Sequence, residues 1–243
     1  MSCLVSDIPI PDWVHNTLER ANWVVVRREV IKNGMAPVGI RGSTRSLRFP
    51  AYLPMDTIIE KVEPELLVSQ LRWKTSPRRS KMKALEILDE LTAFYSSFGF
   101  SWGPTGSIGF ELATGFPTVH EGSDIDIVLR TPKPLEKEYA KAIIDFHEQF
   151  AVKVDVQLET PFGAVSLVEY ARVAGSILLR TSLGPRLVHN PWAGGEGNDC
   201  GFLISGSRLA ISGHAPESAH TSCCRGDHGR SVVHSPARRA FLT

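Results

Sequence analysis

The segment VKVDVQLET, residues 152–160, limits the possible folds most, because its apolar and polar residues alternate without a break. Successive side chains of a strand point to opposite faces, so the apolar residues from Val152 to Leu158 share one face. The opposite face is polar and carries Asp155. A strand that is buried on one side requires partner strands and a covering layer, and the chain must therefore build a sheet.

The elements before this strand alternate between helical and extended patterns. MKALEILDELTAFYSSF repeats apolar residues at helical spacing, and a short strand, a glycine turn and the short helix IGFELATG follow it. DIDIVLR, residues 124–130, is predicted to be a strand, and PLEKEYAKAIIDFHEQF a helix that begins at proline. This order predicts an α/β or mixed α+β domain.

The N-terminal part is predicted to be a smaller domain that contains strands. WVVVRR and APVGIRG are read as two short strands, and Arg41, Arg45 and Arg48 follow between glycine and proline residues. The basic stretch RWKTSPRRSKMK is expected to be an exposed linker, which places a domain boundary near residue 78. The predicted domains are residues 1–78 for binding substrate or carrier and residues 79–192 for catalysis.

Residues 193–243 differ in composition from the rest of the chain. They are rich in glycine, serine, histidine and arginine, they contain no lysine or tyrosine, and they show no sustained periodicity. We therefore expect a largely disordered tail. Four of its residues, Cys223, Cys224, His228 and His234, are conceivable zinc ligands, but vicinal cysteines and irregular spacing argue against a zinc site.

Asp124 and Asp126 are two residues apart at the start of a predicted strand, so their carboxylates lie on the same face. Two carboxylates this close require a shared proton or a cation, and oxygen ligands favour Mg²⁺ or Mn²⁺. Asp155 is the best candidate for a third carboxylate, because a neighbouring strand can bring it beside the pair. Three such carboxylates are typical of sites for displacement at phosphorus.

Gly106 and Ser107 provide a candidate binding place for negative charge before this acidic pair. Glycine permits a tight turn, serine adds a hydroxyl, and the positive end of the following helix points to the same place. Each feature also has a simpler interpretation, as a helix cap or as a solvated strand end. The order of glycine-serine turn, helix, D-x-D strand, helix and Asp-bearing strand favours the functional interpretation. Arg41, Arg45 and Arg48 are candidates to bind a triphosphate or an acidic protein surface, or else they form a solvated basic loop.

Composition limits the class of partner. The 27 basic and 26 acidic residues nearly balance, which argues against nucleic acid as the main partner. No apolar run reaches the roughly 20 residues that a membrane helix needs, and the first residues do not resemble an export signal. The four cysteines form no evenly spaced framework, so we expect a cytoplasmic protein without disulfides.

The order of Gly-Ser, D-x-D and a later Asp resembles the nucleotidyltransferase superfamily that includes DNA polymerase β. The segment GSIGFELATGFPTVHEGSDIDIVLR, residues 106–130, is more similar to one branch of this superfamily. That branch is the malonate decarboxylase holo-[acyl-carrier-protein] synthases, also called phosphoribosyl-dephospho-CoA transferases. Further blocks are similar to that family in the same order: WVVVRREV, PVGIRGSTRSLRFPAYL, VDVQLETPFGAVSLVEYAR and LLRTSLGPRL followed by NPW.

The resemblance implies transfer of phosphoribosyl-dephospho-CoA from its triphosphoribosyl precursor to a serine of the apo acyl carrier subunit of malonate decarboxylase, with release of diphosphate. It implies that Asp124 and Asp126 bind the catalytic metal and that Gly106 and Ser107 hold the triphosphate. Superfamily analogy adds Asp155.

Two alternatives remain open at this point. One is an ATP-dependent nucleotidyltransferase that acts on a different acceptor, and the other is a non-catalytic module that binds the carrier protein. The segment after NPW departs from the family pattern, and it is interpreted as a dispensable extension, a regulatory tail or the product of an altered reading frame.

Overall fold

The computed structural model describes residues 2–44, 46–193, 231–235 and 238–242. Their strands form one seven-stranded and one six-stranded sheet, and both sheets contain parallel as well as antiparallel pairs. The predicted mixture of helices and strands is confirmed. None of the helices in these parts of the chain is long and apolar enough to cross a membrane.

The seven-stranded sheet has the strand order β12-β1-β4-β3-β2-β13-β5. Its strands are β1 (Ser2–Ser6), β2 (Trp23–Val26), β3 (Met35–Arg41), β4 (Arg48–Pro54), β5 (Ile58–Val62), β12 (Ser231–Ser235) and β13 (Arg238–Phe241). β3 and β4 form an antiparallel hairpin in which Arg41 lies opposite Arg48. Helix α1 (Asp12–Arg20) packs Val14 and Leu18 into the core of this sheet.

β12 and β13 lie within the segment for which composition predicts disorder, and the structure differs there. β13 pairs in parallel with β2 on one side and with β5 on the other, so it fills the space between them. Ala240 and Phe241 are fully buried. Such short segments show no periodicity of their own, because partners far away in the sequence determine their conformation. The rest of the segment, including Cys223, Cys224 and His228, lies outside the described residues.

The six-stranded sheet has the strand order β11-β10-β9-β8-β7-β6. Its strands are β6 (Ser101–Pro104), β7 (Ile125–Arg130), β8 (Val154–Thr160), β9 (Gly163–Ser166), β10 (Ile177–Thr181) and β11 (Gly184–Val188). β7 and β8 are parallel, and every other neighbouring pair is antiparallel. A parallel pair requires a crossover connection, which here contains a helix.

Five helices accompany this second sheet: α2 (Pro64–Ser69), α3 (Lys83–Ser97), α4 (Gly106–Thr114), α5 (Lys137–His147) and α6 (Leu167–Arg172). α5 is the crossover between β7 and β8. Leu85, Leu88 and Leu91 of α3 are fully buried in the same core as Ile125 and Leu158 of the sheet. The helical spacing of α3 and the alternation of β8 thus both arise from one shared core.

The basic stretch expected to be an exposed linker is anchored instead. Trp73 is fully buried in the core of the six-stranded sheet, and its indole N–H donates to Asp89 at 2.9 Å. Leu67 belongs to the same core, although it also precedes the boundary expected near residue 78. Trp73 is a single large apolar residue among basic ones, and its burial determines where this segment lies.

Candidate active site

Asp124 and Asp126 flank the first residue of β7. Ile125, Ile127 and Leu129 are almost completely buried, whereas both aspartates are only partly buried. The alternation expected from the sequence is therefore present, with apolar side chains in the core and carboxylates on the opposite face. Burial of the isoleucines fixes where this end of β7 lies, and the strand geometry places both carboxylates on the same side.

Gly106 lies directly against one of these carboxylates. Its φ of 58° is in the left-handed region, and a Cβ added to it would lie 1.9 Å from Oδ2 of Asp126. The amide of Thr105 donates to the carbonyl of Asp126 at 2.8 Å. The glycine is thus required both by its backbone conformation and by the close approach of the carboxylate. The turn and the D-x-D pair, which the sequence separates, form one unit.

Ser107 follows in the first turn of α4, where backbone N–H groups are free of helical partners. Its carbonyl accepts a hydrogen bond from the hydroxyl of Thr118 at 2.8 Å. Thr118 belongs to the connection between α4 and β7, so this connection folds back onto the start of the helix. The N-terminal turn of α4 provides N–H donors and the positive end of a helix dipole beside the acidic pair.

These groups line one open cavity of about 310 Å³. Gly106, Ser107, Asp124 and Asp126 form part of its wall. The end of the β3–β4 hairpin contributes Arg41 and Arg48, and the connection before β7 contributes Pro117, Thr118, Val119, His120, Gly122 and Ser123. Positive charge from the first sheet therefore faces negative charge from the second across a space large enough for a phosphate-bearing ligand.

Arg41 also contacts the second sheet's helix layer. Its guanidinium lies 5.7 Å from the ring centroid of Phe110 in α4, within the range of a cation–π interaction. Arg48 lies opposite it across the hairpin. Arg45, the third predicted arginine, lies outside the described residues.

Asp155 is the register partner of Asp126 on the neighbouring parallel strand, so the two residues share a face of the sheet. Its carboxylate accepts a 2.6 Å hydrogen bond from the ammonium of Lys153, and it is not part of the cavity wall. This hydrogen bond, with smaller contributions from the charges of Asp124 and Asp126, raises the pKa of Lys153. The ammonium thus partly balances the three carboxylates.

Within the described part of the chain, no group of three or more His, Cys, Asp or Glu side chains is arranged to hold a metal ion. Asp124 and Asp126 alone have the donor set that Mg²⁺ accepts, since this ion commonly uses one or two carboxylates together with substrate phosphates. The pair therefore fits a magnesium ion that is shared with a phosphate ligand. Asp155 would have to turn away from Lys153 to join it.

Two family models match this chain, one after the other along the sequence. Residues 2–64 match the phosphoribosyl-dephospho-CoA transferase MdcG N-terminal domain, and residues 70–191 match the MdcG C-terminal domain. The second match spans half of the chain and includes the whole acidic site. The chain belongs to the phosphoribosyl-dephospho-CoA transferase family.

Individual relatives support this family assignment over most of the chain. A phosphoribosyl-dephospho-CoA transferase of Pseudomonas putida strain GB-1 is 40% identical over 79% of this chain and 92% of its own length. The enzyme of that name from Azotobacter vinelandii is 39% identical over 76% of this chain and 87% of its own length. No solved structure matches the chain. The resemblance inferred from the sequence is confirmed, and the protein is a transferase enzyme.

The sequence did not predict one charged group behind the cavity wall of this transferase, the carboxylate of Glu111. This residue stands in the otherwise apolar helix IGFELATG, and only 5% of its surface is exposed. A buried carboxylate needs charged or hydrogen-bonding partners. The one signal in the sequence is a single acidic residue in an apolar helix. It indicates that the carboxylate has a charged or hydrogen-bonding partner but does not identify that partner.

Proposed function

We propose that this transferase attaches the phosphoribosyl-dephospho-CoA group of 2'-(5''-triphosphoribosyl)-3'-dephospho-CoA to a serine of the apo acyl carrier protein subunit of malonate decarboxylase in the cytoplasm. Diphosphate is the other product. One observation carries the proposal: a single cavity collects the Gly106–Ser107 turn, the Asp124–Asp126 pair and two arginines. These are the groups that a triphosphate donor requires.

In the proposed reaction the serine oxygen of the carrier attacks the phosphorus atom next to the ribose. A new oxygen–phosphorus bond forms, the bond to the bridging oxygen of the second phosphate breaks, and diphosphate leaves with that electron pair. The serine proton must pass to a base. Asp155 is our candidate for this base. It shares a face with Asp126, and its carboxylate becomes available to accept the proton if Lys153 moves away.

The remaining groups bind and orient the donor. Gly106 and Ser107 offer backbone N–H groups at the start of α4 to the departing phosphates, and Arg41 and Arg48 neutralise their charge from the opposite wall. Asp124 and Asp126 would hold Mg²⁺ or Mn²⁺. When bound, such an ion polarises the phosphoryl oxygens and stabilises the charge that develops on the leaving group.

The direct test incubates the protein with apo carrier subunit, Mg²⁺ and the triphosphoribosyl precursor. The carrier should gain the mass of the prosthetic group on serine, and one diphosphate should appear for each carrier modified. We expect Asp124→Asn to lower the rate by about 100-fold or more, since even groups that only orient metal ligands contribute 10- to 100-fold. Asp145→Asn, an exposed substitution on α5, serves as the matched control.

Two outcomes contradict the proposal in different ways. If ATP displaces the precursor and modifies the carrier or another acceptor, the protein is an ATP-dependent nucleotidyltransferase. If the carrier binds tightly without metal and gains no mass, the chain is a binding module. Equal yields from wild type and Asp124→Asn would show that the assignment of the acidic pair is wrong.

A further inference from the structure

Glu111 connects α4 to the chain segment that leads to the acidic pair. Its Oε2 accepts three hydrogen bonds of 2.7 Å each, from Nη1 of Arg78 and from the backbone amides of Thr118 and Val119. The carboxylate is almost completely buried, whereas the side chain of Arg78 is 29% exposed. Burial strengthens these charge-assisted bonds and makes it costly to lose any of them.

Arg78 holds the same segment at a second point. Its Nη2 donates to the carbonyl of Val119 at 2.7 Å, while its Nη1 donates to Glu111. The amide and the carbonyl of Val119 are therefore both bound, one to each member of the ion pair. Lysine has a single ammonium on a flexible stem and lacks the planar fork that serves both acceptors at once. This geometry is specific to arginine.

The segment held in this way forms the wall of the cavity. Residues 117–120 and 122–123 line it, and the hydroxyl of Thr118 donates to the carbonyl of Ser107. At the other end, the amide of Ser123 donates to the carbonyl of His120 at 2.9 Å, and the Ser123 hydroxyl accepts from the His120 amide at 3.0 Å. The connection is thus fixed both where it leaves α4 and where it reaches Asp124.

We infer that Glu111 and Arg78 are positioning residues that hold residues 117–123 as a fixed wall of the donor site. Residues 115–123 separate the end of α4 from Asp124, a length that allows a flexible loop. The Glu111–Arg78 pair holds this stretch, and with it the hydroxyl of Thr118 that donates to Ser107, in a fixed position relative to α4. An effect of this pair on the transfer rate rests on the proposed function, whereas its effect on the conformation of residues 117–123 does not.

Hydrogen exchange tests the wall independently of any activity. In wild type, the amides of Thr118 and Val119 donate to a buried carboxylate and should exchange slowly. Glu111→Gln removes the charge, and Arg78→Lys removes the double contact, so both variants should exchange faster in the peptide that covers residues 115–123. Unchanged exchange in both folded variants would overturn the inference.

Steady-state kinetics tests the consequence for the proposed reaction. We expect Glu111→Gln and Arg78→Lys to lower kcat/KM for the triphosphoribosyl precursor by about 10- to 100-fold, as for other groups that orient a site from outside it. The KM for the carrier should stay near the wild-type value. Thr118→Val removes only the hydroxyl that donates to Ser107 and should lower kcat/KM by a smaller factor. It tests the same role without removing a buried ion pair, so the inference can still be tested if the other two variants do not fold.

The matched control is Glu159→Gln. Glu159 also forms a two-point ion pair with an arginine, Arg28, at 2.6 and 2.5 Å, but it does not line the cavity. If Glu159→Gln lowers kcat/KM as much as Glu111→Gln, the effect comes from general loss of an ion pair and the positioning role is wrong. If wild type transfers nothing to the carrier, the proposed function fails, and the exchange experiment still decides whether the wall is held.

Discussion

The two sheets of this transferase differ in which parts of the sequence supply their strands. All six strands of the second sheet come from residues 101–188 in sequence, with the acidic pair at the start of β7. The first sheet takes strands from both ends of the chain, and its member β13 lies between β2 and β5. The acidic pair therefore depends mainly on residues near it in the sequence, whereas the first sheet, which contributes Arg41 and Arg48 to the cavity, depends on a distant segment for one of its inner strands.

This comparison predicts two kinds of variant. Substitutions near the acidic pair should change activity more than stability, and substitutions in β13 should change stability more than activity. Four experiments test or refine that division, and they follow in order of decreasing expected free-energy change.

Phe241→Ala should destabilise the protein most. Phe241 belongs to a strand of the first sheet, yet it packs in the core of the second, where its Cζ lies close to Gly109 of α4. Truncating a buried phenylalanine costs about 3–5 kcal/mol. Urea unfolding measures the loss, and Phe162→Ala, at a phenylalanine that is 40% exposed, is the control. A large loss of activity in the folded fraction would contradict the proposed division.

Gly106→Ala should abolish most activity with a smaller loss of stability. The new methyl group would collide with the Asp126 carboxylate, and we expect a fall in transfer of about 100-fold, which corresponds to about 2.7 kcal/mol. Gly115→Ala is a close control, because Gly115 also has a positive φ, of 74°, but has no atom within 4 Å of the added methyl. Equal transfer rates in the two variants would mean that backbone strain alone matters.

Stability should fall as the pH decreases from 6.5 to 4. Burial lowers the pKa of His147 to about 4, and its Nε2 lies 3.0 Å from the hydroxyl of Tyr95, which is also buried. Below pH 6.5 the unfolded chain binds a proton that the folded protein does not, which favours unfolding. The expected loss from pH 7 to pH 5 is about 2 kcal/mol. Urea unfolding of His147→Gln at both pH values should show a smaller pH dependence than wild type.

Arg41→Lys should have the smallest effect and refines the comparison, because Arg41 belongs to the first sheet but lines the cavity. We expect the KM for the precursor to rise about fivefold, corresponding to about 1 kcal/mol for weaker phosphate contacts. Arg20→Lys is the control, because Arg20 lies over the ring of Phe116 without lining the cavity. An equal rise in both variants would indicate that only the aromatic contact matters.

The sequence predicted features that a single element determines. The alternation around Ile125 and Ile127 placed both aspartates on one face, whereas Gly106 and Ser107, predicted to form a turn before the helix, are the first two residues of α4. Lys153 and Asp155 are two residues apart on the polar face of the predicted strand, so their proximity is predictable, but the sequence does not show that the Asp155 carboxylate turns toward Lys153 instead of toward the acidic pair. β13 was missed because its partner strands lie far away in the sequence, and Glu111 because its partners are two backbone amides of a loop and an arginine 33 residues before it, which no local pattern indicates.

The position of β13 also determines the order in which the protein can assemble. β2 and β5 are complete before residue 63, yet the strand that joins them begins only at Arg238. Until then, the edges of β2 and β5 that pair with β13 are open, and open strand edges are sites at which other chains can add. The second sheet must therefore be synthesised while the first remains open. A fragment of residues 2–64, the range that matches the N-terminal family domain, should aggregate unless a peptide corresponding to β13 is supplied.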